Sequence, residues 1–260
     1  MISIKKDLCT SCGLCAQICE TRDIEMTDTG AFPLGIDCSE CGHCVAICPT
    51  NAVELPGYDS REILPYSKDL FSIDPDRLLN FMKFRRSTRR FLPEKPEREK
   101  IETILEAGRF SPTACNYQRL RYVVVEKELK ALRDRLWEGA AVYARGAADE
   151  YLLSRYRKYK NSKGTQDALL YGCTHLIFIM APDENDACIA SSRMELMAHA
   201  LGLGALYLGY CKLAVEASPA LQEYLGETEQ SKTQVVLALG YPDVIWHRTV
   251  PRKPLQVEWK

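Results

Sequence analysis

Eight of the twelve cysteines fall into two runs of identical spacing. They are Cys9-x-x-Cys12-x-x-Cys15-x-x-x-Cys19 and Cys38-x-x-Cys41-x-x-Cys44-x-x-x-Cys48-Pro49, set 29 residues apart. Thiolates are soft, anionic metal ligands, and a single Cys-x-x-Cys serves zinc sites and dithiol redox motifs alike. Two complete runs are far more specific. Three closely spaced thiolates hold three irons of one cube, and the fourth Cys of each run reaches the neighbouring cube. Cys9, Cys12, Cys15 and Cys48 are therefore expected to ligate one [4Fe–4S] cluster, and Cys38, Cys41, Cys44 and Cys19 a second. The alternative is a pair of structural zinc sites, but zinc frameworks rarely repeat this crossed spacing. A disulfide scaffold fits worse, because such frameworks belong to small secreted domains and Met1-Ile2-Ser3-Ile4-Lys5 does not read as a signal peptide.

A second group of residues suits anion binding. Arg85-Arg86-Ser87-Thr88-Arg89-Arg90-Phe91 places four arginines in six positions. Alone, such a run is a solvated basic patch or a nucleic-acid contact. As a phosphate grip it would combine fork-shaped guanidinium donors with hydroxyls. Ser111-Pro112-Thr113-Ala114-Cys115-Asn116-Tyr117-Gln118 offers hydroxyl and amide donors where a flat, polar-edged ring could dock, or is an ordinary loop. Basic and aromatic residues alternate from Tyr151 to Lys163, a solvated helix face or a lid over a site. The remaining cysteines, Cys115, Cys173, Cys188 and Cys211, have apolar or small neighbours and read as buried, inert thiols. The four histidines are scattered, and no catalytic His/Asp/Ser set or carboxylate pair stands out.

The elements that position these residues follow from pattern. A length of 260 suits two domains. Residues 1–55 are expected to form a small module too small for a sizeable core, stabilised by its clusters. Residues 56–74, with Pro56, Gly57 and Pro65, read as a linker, and 75–260 as the larger domain. Asp74-Pro75 opens a helix through Phe84, and a second spans Pro96–Arg109. Strands are expected over Tyr122–Val125, Leu176–Met180, Leu206–Tyr210 and Gln234–Leu239, and helices over Glu126–Gln166, Asn185–Leu201 and Pro219–Leu225. Gly202 and Gly204 read as a helix stop, because a dinucleotide loop would follow a strand and precede a helix. The tail from Asp243 carries Ile245, Trp246, Leu255 and Trp259 with no local core, which suggests packing on another subunit. A net charge of −1 gives no global field toward nucleic acid or an anionic membrane, and no apolar run is long enough to span one. A reducing cytoplasm is the expected compartment.

The segment from Met1 to about Leu55 resembles bacterial two-cluster ferredoxins. It departs from them at Glu20, where proline usually follows the fourth Cys. The arginine run, the Ser111–Gln118 loop, Gly202-Leu203-Gly204 with Gly209, Gly240-Tyr241-Pro242 and Arg252-Lys253-Pro254 together resemble the FMN-dependent nitroreductase family, over about Leu78 to Val257. That resemblance implies an α+β fold: a mostly antiparallel sheet wrapped by helices, in an intertwined homodimer with FMN at the interface. By position, Arg85, Arg86, Ser87 and Arg89 would hold the flavin phosphate, ribityl chain and pyrimidine edge. Pro112, Thr113 and Asn116 would reach it from the partner subunit. Leu208 and Gly209 would present backbone to the ring, and Arg252 with Lys253 would close on the phosphate. Gln166 would take the place of a family amide. The chemistry would belong to the cofactor. The expected activity is reduction of a small electron-poor acceptor, a nitroaromatic or quinone, through flavin fed by the clusters. The alternative is an electron-transfer flavoprotein linking NAD(P)H, a transient donor in the resembling family, to an external ferredoxin or other redox protein.

Overall fold

A computed structural model describes residues 1–260. The backbone divides into two units. One comprises Met1–Ile73 together with Thr113–Tyr117, the other Asp74–Pro112 together with Gln118–Lys260.

The first unit runs β1 (Ser3–Ile4), α1 (Leu14–Ile18), β2 (Ile24–Thr27), β3 (Gly30–Pro33), α2 (His43–Ile47), β4 (Val53–Glu54) and α3 (Lys68–Phe71). Strands β1 and β4 pair antiparallel, as do β2 and β3. The repeat in the sequence is a repeat in the backbone. Gly13 and Gly42 precede α1 and α2 with φ of 76° and 74°. Ser11 and Glu40 match at 53° and 52°, and Arg22 and Asn51 at 56° and 54°. Ile2, Cys15, Ile24, Ala31, Cys44 and Val53 form its core cluster, with Ala52 also buried, a scant apolar payload for an independent fold. Beyond β4 the expected linker holds a short turn at Ser60–Glu62, capped by the Asp59 carboxylate, and the single turn of α3. Its apolar side chains, Ile63, Leu64, Tyr66 and Leu70 among them, are exposed.

The second unit runs α4 (Pro75–Phe84), α5 (Arg98–Arg109), β5 (Arg121–Val125), α6 (Leu129–Gly146), α7 (Glu150–Asn161), β6 (His175–Ala181), α8 (Glu184–Ala200), β7 (Gly204–Tyr207), α9 (Gly209–Glu216), α10 (Pro219–Leu225) and β8 (Lys232–Gly240). The sheet order is β5-β6-β8-β7 with every pairing antiparallel. All seven residues of β6 are buried, so helices cover both sheet faces. Strand alternation then sorts two cores. Leu176, Phe178 and Met180 pack with Trp137 and Ala140 of α6, Ala214 of α9 and Leu221 of α10. Ile177, Ile179 and Ala181 pack with Ile101 and Ile104 of α5 and Met194 and Ala198 of α8.

Several expectations are corrected. The stretch 126–166 is two helices, broken at Ala148 (φ 53°), with Asp149 accepting from Leu152 N to start α7. Strand β7 ends at Tyr207, and Gly209 opens α9 rather than closing a strand. Gly202 ends α8 in the left-handed region (φ 75°). Gly204 instead begins β7 and permits a close approach, since a Cβ there would meet Thr88 Oγ1 at 2.5 Å. Of the four outlying thiols, Cys173 and Cys211 are buried, but Cys115 and Cys188 are exposed. After Asp243 the chain has no regular structure, and Ile245, Leu255 and Trp259 stand in solvent. No helix is long and apolar enough to cross a membrane.

Candidate functional site

In the first unit the eight clustered thiols surround two separate cavities. One is lined by Cys9, Cys12, Cys15 and Cys48. The other is lined by Cys19, Cys38, Cys41 and Cys44. Each cavity draws three thiols from one run and the fourth from the other. The helices explain the grouping. A left-handed Gly turns the chain into α1 or α2, which buries the third Cys, and the chain leaves each helix extended at the fourth. Backbone amides then point at that sulfur: Asp23 N donates to Cys19 Sγ at 3.3 Å, and Ala52 N to Cys48 Sγ at 3.2 Å. Burial pushes the Cys44 thiol up to about 11 and raises that of Cys15. At Cys48 burial acts the same way, but donors from Thr50, Ala52 and Val53 outweigh it and hold the thiol below its ordinary value. No group of three or more His, Cys, Asp or Glu side chains converges on a single-ion position. The arrangement is two open rings of four thiols.

In the second unit the arginine run leaves α4 and is stitched to β7. Ser87 bridges Ala205 in parallel, and Thr88 N donates to Ala205 O at 3.0 Å. Arg85 Nη1 donates to Glu195 Oε1 of α8 at 2.7 Å. Burial lifts the Glu195 carboxyl above its usual range even with Arg85 beside it. Arg86 Nη1 reaches the carbonyls of Lys83 and Arg85, while its Nη2 is buried with no partner. Leu208, between β7 and α9, is buried, and Gly209 begins α9 with open space where a Cβ would lie. Arg90 pairs with Asp243 at 2.7 Å, tying down the start of the tail, but Arg252 and Lys253 further along are exposed.

Other predicted residues are placed elsewhere. Pro112 belongs to the second unit, whereas Thr113 and Asn116 belong to the first, where Asn116 Nδ2 donates to Ser39 O at 3.1 Å. The chain there is tightly wound, with Cys115 and Asn116 left-handed at φ 46° and 54°. Gln166 is exposed and its backbone N donates to Ser162 Oγ. One side of the Tyr151–Lys163 stretch packs against α6, where Tyr159 stacks on Trp137 at 4.9 Å, Tyr156 donates to Glu138 at 2.6 Å, and Lys160 pairs with Glu138, while Tyr151, Arg157 and Lys158 are exposed. Two participants escaped the sequence reading. Glu195 carried no local signal, because α8 also holds Glu184, Asp186 and Arg193. Asp23, only 3% exposed, accepts from the N–H groups of Gly35, Ile36 and Asp37 and so holds the approach to Cys38.

The four-stranded antiparallel sheet with helices on both faces, and an arginine run stitched to its edge strand β7, defines an α+β class. Residues 82–241 match the Nitroreductase family, and the chain belongs to that family. Among solved structures, it is similar to a nitroreductase with bound FMN from Desulfitobacterium hafniense DCB-2, at 26% identity and a TM-score of 0.56, over 69% of this chain and 97% of that one. A putative nitroreductase in complex with FMN from Desulfovibrio desulfuricans shares 25% identity at a TM-score of 0.52, over 71% and 94%. A nitroreductase with bound FMN from Bacteroides fragilis NCTC 9343 shares the fold, at 22% identity and 0.58, over 70% and 98%. No curated protein matches.

Proposed function

We propose that the chain is an FMN-dependent oxidoreductase of the nitroreductase type that carries its own pair of [4Fe–4S] clusters and reduces a small, electron-poor organic acceptor. The observation that carries this reading is the sorting of eight cysteines into two four-thiol cavities, in a chain whose other unit belongs to the nitroreductase family. The residues fit both groups. A ring of four thiols with amide donors aimed at the sulfurs suits a cube of iron and sulfide. A buried, unpartnered guanidinium nitrogen on Arg86 suits a phosphate oxygen. The relatives from Desulfitobacterium and Desulfovibrio, with FMN bound, support the same assignment. When bound, the clusters would supply single electrons and the flavin would gather two for transfer to the acceptor.

The chain's own residues would do the holding. Arg86, Ser87 and Arg89 would bind the flavin's phosphate and sugar chain, and Arg85, anchored by Glu195, would face its polar edge. Leu208 and Gly209 would present backbone to the ring, with no Cβ at Gly209 to keep it away. Pro112, Thr113 and Asn116 would serve a flavin bound by a second copy of the chain, so that a homodimer completes the site. The exposed Arg252 and Lys253 would close on the phosphate when the tail packs. A reducing, cytoplasmic setting would keep the thiols available for iron.

The test is an anaerobic optical titration of the cluster-replete protein with NADH, then NADPH, then reduced ferredoxin, followed at the flavin band. Bleaching only with ferredoxin is expected, with electrons entering through the thiol module. Bleaching by nicotinamide alone would favour the second reading, a flavoprotein that passes electrons from NAD(P)H to a separate redox partner. An Arg86→Glu protein that keeps its FMN and activity would remove the flavin placement.

A further inference from the structure

The duplicated module provides an internal control. Residues 29 apart are equivalent around the cysteines, where three pairs share a left-handed backbone: Ser11 and Glu40, Gly13 and Gly42, Arg22 and Asn51. The hydrogen bonds to sulfur also agree: Thr21 and Asp23 N serve Cys19 as Thr50 and Ala52 N serve Cys48. So does burial: Cys15 and Cys44 are each 8% exposed, and Cys12 and Cys41 both face solvent. The potential of a cluster depends on net charge, hydrogen bonds to sulfur and exposure. Two of those three are matched here.

Charge is not matched. The cavity of Cys19, Cys38, Cys41 and Cys44 is lined by His43, whose equivalent is Leu14, and by three acids, Glu20, Asp23 and Glu40. The equivalents of these three are Pro49, Ala52 and Ser11. The other cavity has Ile4, Thr10, Leu14, Ala31, Thr50, Ala52 and Val53 beside its cysteines, and no charged side chain. The Met1 ammonium, 2.6 Å from Glu40, offsets one of the three carboxylates and leaves two. Negative charge beside a cluster opposes the arrival of an electron.

Resting on the cluster reading above, we infer that the module is electrically polarised: the centre at Cys19, Cys38, Cys41 and Cys44 has the lower potential, and Glu20 and Asp23 set the gap. Electrons inside the module then run downhill from that centre to the one at Cys9, Cys12, Cys15 and Cys48. Asp23 and Glu20 act through the field they impose and are positioning residues, not ligands.

The experiment is a dithionite titration of the reconstituted holoprotein followed by EPR, with iron and sulfide measured beforehand. Each centre takes one electron from dithionite, so two resolved steps are expected. Glu20→Gln, at an exposed position, should raise the lower step and leave the upper one in place. Ser11→Glu is the converse: Ser11 shares the left-handed backbone of Glu40 (53° against 52°), so the acid can be carried there, and it should lower the upper step alone. Coincident steps in the wild type would overturn the inference, as would a Glu20→Gln protein in which the upper step or neither step moves. A chain that takes up no iron and sulfide would instead overturn the cluster reading itself.

Discussion

Arg85 and Glu195 meet across 110 residues of sequence, and their pairing shows what a buried ion pair costs. Glu195 is 8% exposed, and burial raises its carboxyl pKa in the fold. The folded state therefore holds that proton more tightly than the unfolded chain, so this group's contribution improves as pH falls and worsens as pH rises through the raised value. Arg85→Ala would leave the carboxylate without its counter-charge. A loss of about 3 kcal/mol is expected at neutral pH, the low end for breaking such a pair because Arg85 keeps some exposure. The loss should shrink near pH 5, where the carboxyl can take a proton, and equal losses in denaturant melts at both pH values would refute this account. Tyr122 offers the opposite case. Its hydroxyl is buried without a partner, and burial alone pushes its pKa to about 12. Tyr122→Phe should leave stability unchanged or raise it by up to about 1 kcal/mol, since a wasted desolvation is removed; a clear fall in melting temperature would mean that the hydroxyl has a partner. The sorting of eight cysteines around two cavities was legible from spacing, because the two runs repeat one pattern. Glu195 and Asp23 were not, because their partners arrive only when the chain folds.

Among the elements, β6 was the easiest to read, since its apolar run is of strand length, holds Ile177, Phe178 and Ile179, and is closed by Pro182. Helix α9 was missed because Leu206–Tyr210 continues the strand pattern, and only the packing of Cys211, Ala214 and Val215 selects a helix after Leu208. That packing is close. A Cβ on Gly139 of α6 would meet the Ala214 carbonyl oxygen at 2.5 Å, and backbone cannot move aside cheaply. Gly139→Ala should therefore cost about 1–3 kcal/mol. Gly146, in the same helix, has open space around its missing Cβ, so Gly146→Ala should be neutral or stabilising by up to about 1 kcal/mol. Thermal melts of the two variants side by side check this: equal effects would show that helix propensity, and not the α6–α9 contact, decides. The break at Ala148 was illegible for a related reason. An alanine in the left-handed region carries no turn signal, and the Asp149 cap speaks only once the break exists.

At the scale of the whole chain, the larger unit was legible from an ordered set of short motifs, each modest alone, and the family match over 82–241 rests on the same stretch. The parts proposed to be completed by a second copy were less so. The tail's apolar residues face solvent in the single chain, and Thr113 and Asn116 group with the small unit rather than with the arginine run. The crossing of the thiols has a consequence for how the protein would acquire iron. Each ring takes three thiols from one half of the repeat and one from the other, so filling either ring pins both halves. The loop-closure entropy is then spent once, and the second ring is already assembled when its metal arrives. On the cluster assignment proposed above, iron uptake should be cooperative. Native mass spectrometry of the apoprotein given half the iron and sulfide it can hold should find empty and doubly loaded molecules, with the half-filled form scarce. A statistical spread, dominated by single occupancy, would mean that the halves load independently. Under iron limitation the cell would then hold a smaller number of complete enzymes rather than a full complement of half-wired ones.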